Sequence, residues 1–159
     1  MDALAGLQPP LRVGERVSLR VSGPVRDLIG FVIDLDPLTL EDRHGIEHPV
    51  GASAVLAARR VPVSLGRDPN AAPAELLDEL AARAELATGL VSRIRISDLL
   101  AGRPAPADVF PERGSWADGR LRARVEGEWL TTNVSDPPLL EALAWWATRQ
   151  NARSIQIRG

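Results

Sequence analysis

The chain has 159 residues, of which 45% are hydrophobic and 25% charged, and it carries a formal net charge of -2. That composition supports one respectable core or two small ones rather than disorder. The acidic balance weighs against general nucleic-acid binding, which needs a basic surface to neutralise phosphates. Cysteine is absent, which excludes disulfides and thiolate metal sites. No basic flank with a long apolar run opens the chain, and no segment reaches the roughly 18 apolar residues of a membrane span, so a cytoplasmic protein with no membrane partner is expected.

Val17, Leu19 and Val21 alternate with Ser18, Arg20 and Ser22, the period of a half-buried strand. In "DLIGFVIDLDPLTLEDRHG", residues 27–45, Ile29, Phe31, Ile33 and Leu35 fall on one pleated face and Gly30 and Asp34 on the other. Asp36-Pro37 breaks that run, Leu38 and Leu40 resume it, and Asp42-Arg43-His44-Gly45 makes a second turn. Residues 46–50 and 55–61 are two more short strands separated by Gly51-Ala52-Ser53. Five short strands with turns this tight predict a closed or nearly closed SH3-like barrel over residues 12–63.

Residues 64–73, "SLGRDPNAAP", lack periodicity and read as a linker. Residues 74–159 are expected to form a small α/β domain, so the whole chain is α+β. A helix enters through Pro73, turns Leu76, Leu77, Leu80, Ala84 and Ala87 inward and Glu75, Asp78 and Glu85 outward, and ends at Gly89. "VSRIRISDLL" predicts a strand followed by one helical turn, and Pro104 to Trp116 an irregular ordered loop. Leu121, Ala123 and Val125, the turn at Glu126-Gly127, and "EWLTTNV" form a hairpin. Ser135 or Asp136 caps a helix that enters through Pro137-Pro138 and runs to about Asn151, before a closing strand at Ile155 and Ile157. On that helix Leu139, Leu143, Trp146 and Gln150 share a side, while Trp145 points about 100° away, either at a second interface or packed beneath a neighbouring loop.

The segments "VGERVSLRV" and "DLIGFVIDLDPLTLEDRHGIEHPVGASAVLAARRVP" resemble the SH3-like domain that precedes the acetyltransferase domain in a group of actinobacterial GNAT-family proteins, over about a third of the chain. "GRLRARVEGEWLTTNVSDPPLLEALAWWATRQNARSIQIRG" is more loosely similar to the opening strands and helix of the domain that follows there. In that family a loop of the pattern Gln or Arg, two residues, Gly, one residue, Gly or Ala presents backbone amides to the pyrophosphate of acetyl-CoA at a helix N-terminus. Gln156-Ile157-Arg158-Gly159 spells the first four positions, but no helix follows, and the tyrosine that often serves as general acid has no counterpart. The resemblance therefore implies a truncated GNAT-like fold with no catalytic residue and no cofactor.

No P-loop, nucleophile elbow or dinucleotide fingerprint is present. His44 and His48 lie in a hairpin where convergence on a metal is not expected, and Asp34, Asp36, Glu41 and Asp42 read as turn-side carboxylates, so no metal is expected. The favoured function is a non-catalytic adaptor that binds a protein partner or forms a homodimer, with Trp116, Trp129 and Trp145 as candidate anchors. The first alternative is an N-acetyltransferase component that binds acetyl-CoA only with a partner chain. The second, less favoured, is nucleic-acid binding by a groove of Arg59, Arg60, Arg93, Arg95, Arg122 and Arg124.

Overall fold

The computed structural model describes residues 3–86, 89–101, 110 and 113–159. The chain is mixed α+β and divides into two compact units, the first ending at Pro62 and the second beginning at Val63. Most of the loop expected between Pro104 and Trp116, and the expected helix position Ala87, lie outside the described residues; at the end of that loop Ser115 and Trp116 are instead the first residues of a strand, held by pairing with Arg124 and Ala123.

The first unit is one antiparallel sheet of β1 (Arg16–Val21), β2 (Arg26–Leu35), β3 (Leu38–Glu41), β4 (Glu47–Pro49) and β5 (Val55–Arg60). Its order is β4-β3-β2-β1-β5. All five expected strands are present, but the sheet is not a closed barrel: among the described residues no ladder joins β4 to β5. The physical reason is local. β4 is only three residues long, and the chain crosses from β4 to β5 through the 3-10 turn Ala52–Ala54 without pairing.

Burial along β2 draws on both faces: Phe31, from the expected row, is 7% exposed, and Leu28, Gly30 and Val32 from the opposite row are buried as well. Leu28 and Val32 belong to the core with Val17, Leu19 and Leu40, whereas Ile29 and Leu35 are 48% and 46% exposed. Gly30 lies between Leu28 and Val32, where a Cβ would sit 2.5 Å from the Glu41 carbonyl oxygen on β3. The row that holds Leu28 and Val32 therefore needs a residue without a side chain at its centre. A register shift between Val32 and Asp34 then turns the end of the strand outward.

The second unit is a sheet of order β6-β10-β9-β8-β7, built from β6 (Leu90–Arg95), β7 (Ser115–Asp118), β8 (Leu121–Glu126), β9 (Trp129–Thr132) and β10 (Ser154–Arg158). Every pairing is antiparallel except β9 with β10, which α3 (Pro137–Thr148) connects as a β-α-β crossover. Both hairpins, β7-β8 and β8-β9, close through two-residue loops whose first residue is a glycine with positive φ, Gly119 at 59° and Gly127 at 58°. That is the glycine position of a type II′ turn, whose twist matches the flanking strands.

Helix ends follow capping chemistry. Asp136 caps α3 by accepting from the Leu139 amide at 3.2 Å, with prolines in its first turn. At its other end Asn151, with φ 73°, closes the helix through Ala152 N to Ala147 O. The helix α1 (Ala74–Arg83) stops earlier than the expected Gly89. Glu85 takes the left-handed position instead, with φ 62°, and Leu86 N donates to Ala81 O at 2.8 Å while Leu86 packs on Ala81 and Ala84. That hydrophobic contact holds the motif closed without glycine. The helical turn expected after β6 is α2 (Ile96–Leu100), which packs on α3.

Replacing Gly30 with alanine in β2 is expected to lower the stability of the first unit by about 1–3 kcal/mol, because the new methyl group overpacks against a backbone carbonyl that cannot rotate away. Urea denaturation of Gly30→Ala against the parent checks it.

Candidate functional site

The strand register sorts the second sheet into two unlike faces. One row across it runs Ile94, Ile155, Leu130 and Val125, on the side that carries the apolar core. There α3 buries Leu140, Leu143, Ala144 and Ala147. Phe110 sits edge-on to Trp116 at 5.2 Å and to Trp146 at 5.8 Å between ring centroids.

The opposite face, beneath α1, is polar. One row runs Arg93, Gln156, Thr131 and Arg124, and the next Arg95, Ser154, Trp129 and Glu126. Gln156 is completely buried. Its amide nitrogen donates to the Leu77 carbonyl of α1 and to the Thr131 hydroxyl, each at 3.0 Å. Its amide oxygen accepts from Arg158 Nε at 3.0 Å, and the Arg158 guanidinium reaches Asp78 of α1 at 3.0 Å. A connected network satisfies these buried groups and fixes α1 over the middle of the sheet. Gln156 and Arg158, the letters that mimic a coenzyme loop, are thus strand residues that clamp a helix.

Beside this clamp lies a cavity of about 530 Å³, lined by Trp129, Leu76, Leu80, Ala72, Pro73 and Ser154, with Arg67, Asp68, Arg83, Glu126 and Glu128 around it. Trp129 forms the apolar floor with Leu77 and Leu80, while Leu76, expected to face inward, is 38% exposed at the cavity wall. Arg83 donates to Glu126 at 2.9 Å. That hydrogen bond lowers the Glu126 pKa against the raising effect of burial, with a further contribution from Arg124, so the pair stays charged. A second depression of about 410 Å³ is lined by Arg93, Arg95, Asn70, Asp68, Asp98 and Leu99. Residues 68–70 of the segment expected to be a linker line it, and residues 71–73 line the first cavity, so this segment is an ordered wall of both.

The expected site residues are distributed unequally. Of the three tryptophans, Trp129 lines the larger of these two depressions. Trp116 is half-buried in the aromatic cluster, and Trp145 is buried in α3, its indole N–H without an acceptor among the described residues. Arg59 and Arg60 belong to the first unit and the other four arginines to the second. Arg60 bonds Glu15 at 2.8 Å and the Pro9 carbonyl. Burial alone would raise the Glu15 pKa, but the Arg60 guanidinium and the Arg12 amide hold it below its ordinary value. Arg93, Arg95, Arg122 and Arg124 share the α1 face, yet Arg122 and Arg124 lie three strands from β6 and pair with Glu85 at 3.6 Å and Glu126 at 3.4 Å. Arg93 and Arg95 differ. They donate to backbone carbonyls of Asn70, Ala72 and Arg67 at 3.3–3.5 Å, and no carboxylate among the described residues pairs with either.

The histidines do not converge either. Asp42 Oδ2 holds His48 Nε2 at 2.9 Å, while His44 Nε2 accepts from Arg43 at 3.2 Å. Among the described residues no group of three His, Asp or Glu side chains suits a metal ion, and no helix is long and apolar enough to cross a membrane. No protein-family model matches the chain, and neither a curated protein nor a solved structure matches it.

Two outcomes follow. Gln156→Leu leaves the buried Arg158 Nε–H and the Thr131 hydroxyl without their partner, and is expected to cost about 2–3 kcal/mol of stability in urea titration. In the first unit, Asp42 accepts from His48 and from the Ile46 and His44 amides, which depress its pKa from 3.8 to about 2. A depressed carboxylate stabilises the fold above its unfolded pKa, and that contribution is lost as pH falls from about 4 through about 2. Asp42→Asn is expected to flatten the stability profile across that window, measured by denaturant midpoints between pH 5 and 2.

Proposed function

We propose that the chain is a non-catalytic interaction module in which an SH3-like unit precedes a GNAT-like α/β unit, and that it works by binding a protein partner. The observation that carries this reading is the cavity floored by Trp129. It is concave, mainly apolar and rimmed by charge, the form in which a partner's apolar side chain is buried and oriented. The strand order β4-β3-β2-β1-β5, with a 3-10 turn before β5, supports the SH3-like part of the reading. The β9-α3-β10 crossover supports the α/β part. Several ionisable groups around the cavity are engaged in ion pairs and capping bonds: Arg83 with Glu126, Glu128 with Arg153 at 3.7 Å, and Asp68 with the Asn70 amide. Groups committed in this way hold walls in place rather than exchange protons with a substrate.

Leu76 is the residue on which to test this. It lines the cavity but lies outside the buried clusters, so Leu76→Glu is expected to leave the unfolding midpoint within about 0.5 kcal/mol of the parent. The same change is expected to abolish capture of a partner by the immobilised protein. Acetyl-CoA at millimolar concentration is expected to leave the melting temperature of the isolated chain unchanged; a rise would replace this reading with that of a coenzyme-binding transferase component.

A further inference from the structure

We propose that the ligand of this face is an extended peptide segment carrying a carboxylate three positions away from a large apolar side chain. The apolar residue enters the Trp129 cavity, and the carboxylate is held by Arg95 and Arg93. The inference rests on the interaction reading above and specifies the chemistry of the partner.

The geometry begins with the register. Arg95 on β6, Ser154 on β10 and Trp129 on β9 are successive partners across the sheet and point to the same side. Neighbouring strands are about 4.8 Å apart, so the Arg95 and Trp129 backbones are separated by about 10 Å. Arg93 and Arg95 alternate with Ile94 along β6, which puts both guanidinium groups on that same side. The segment 67–73 stands between the two depressions, contributing Asp68 to both. The two subsites therefore form one stepped surface of the second unit.

The charges decide what lies on the step. Arg93 and Arg95 are positioned by neutral carbonyl acceptors, which orient a guanidinium without cancelling its charge. Each retains N–H donors in a planar fork that matches a carboxylate. Two acids line the same depression, Asp68 and Asp98. Asp68 is occupied in accepting from the Asn70 amide, and Asp98 lies in the first turn of α2. A peptide satisfies this mixed set better than a simple anion does, because its backbone N–H groups can meet those carboxylates while its acidic side chain meets the arginines. In a polyproline II conformation, three residues per turn at about 3.1 Å each place positions i and i+3 on one side about 9 Å apart. That distance matches the backbone separation of Arg95 and Trp129 across the sheet.

The test uses the full chain and fluorescein-labelled serine-glycine peptides bearing one glutamate and one leucine at separations of one to five positions, read by anisotropy. Binding is expected to peak at a separation of three and to fall about tenfold when glutamine replaces the glutamate, as loss of a charge-assisted contact requires. Arg95→Gln and Arg93→Gln are expected to weaken the glutamate peptide to the level of the glutamine peptide and to leave the latter unchanged. Arg95→Lys is expected to restore part of the loss, which separates charge from folding. Leu76→Glu weakens both peptides. Affinity that ignores spacing, glutamate or Arg95 overturns the inference while leaving the Trp129 cavity as an apolar docking site. Absence of binding up to about 1 mM also overturns it, and the capture experiment with Leu76→Glu then judges the broader reading alone. Arginine-dependent binding of a labelled oligothymidylate, or a doubled solution mass that Leu76→Glu halves, overturns it in favour of a nucleic acid or a second copy.

Discussion

A single buried amide sets the layout of the second unit. Gln156 sits near the centre of a sheet face with no access to water, so each of its polar atoms must find a protein partner or cost free energy. It finds them in Thr131 of the next strand, Leu77 of α1 and Arg158 of its own strand, and Arg158 in turn reaches Asp78. The helix is thereby located by directional bonds as well as by Leu77 and Leu80, which alone would allow it to slide. With α1 held over the middle of the face, Trp129 and the β6 arginines are left at its side.

The contrast between the two faces explains which side chains remain accessible. The α3 face is filled with aliphatic residues and an edge-to-face aromatic cluster, and it consumes Trp116, Trp145 and Trp146 as packing volume. The α1 face is too polar to be closed by a ten-residue helix with one apolar stripe. Its charged groups are neutralised pairwise where carboxylates are near, as at Glu126 and Glu85, and satisfied by backbone carbonyls where they are not. The second arrangement leaves Arg93 and Arg95 without a carboxylate pair among the described residues.

The first unit solves a different problem. A five-stranded open sheet has two free edges, and here the outer strands are short, with β4 only three residues long and β5 ending in Arg59 and Arg60. Arg60 is turned back onto Glu15 and Pro9, tying the N-terminal segment to β5. Asp42 organises the β3-β4 turn by accepting two amides and an imidazole, and Gly45, with φ 78°, completes that turn. The turn chemistry is legible because Asp and Gly at those spacings act on their own neighbours.

Local patterns were sufficient for the alternation in β1, the glycine-led hairpin at Gly127, the Asp136 cap with its prolines, and the change of architecture near residue 63. Each depends on residues a few positions apart, whose geometry the backbone imposes whatever the rest of the chain does. The hairpin at Gly119 was not expected, because its first strand lies at the end of a segment that reads as a loop. The burial of Leu28 and Val32 beside the expected Phe31 was not legible, because it depends on how β2 packs against β1 and β3, contacts between strands. Nor was the end of α1 at Glu85, where packing of Leu86 on Ala81 and Ala84 outweighs the preference for glycine. The same limit applies to the site. Trp129, Arg93 and Arg95 were visible as residue types, but the row Arg95, Ser154, Trp129 joins three strands that are distant in sequence, and only the pairing of β6 and β9 with β10 makes them neighbours.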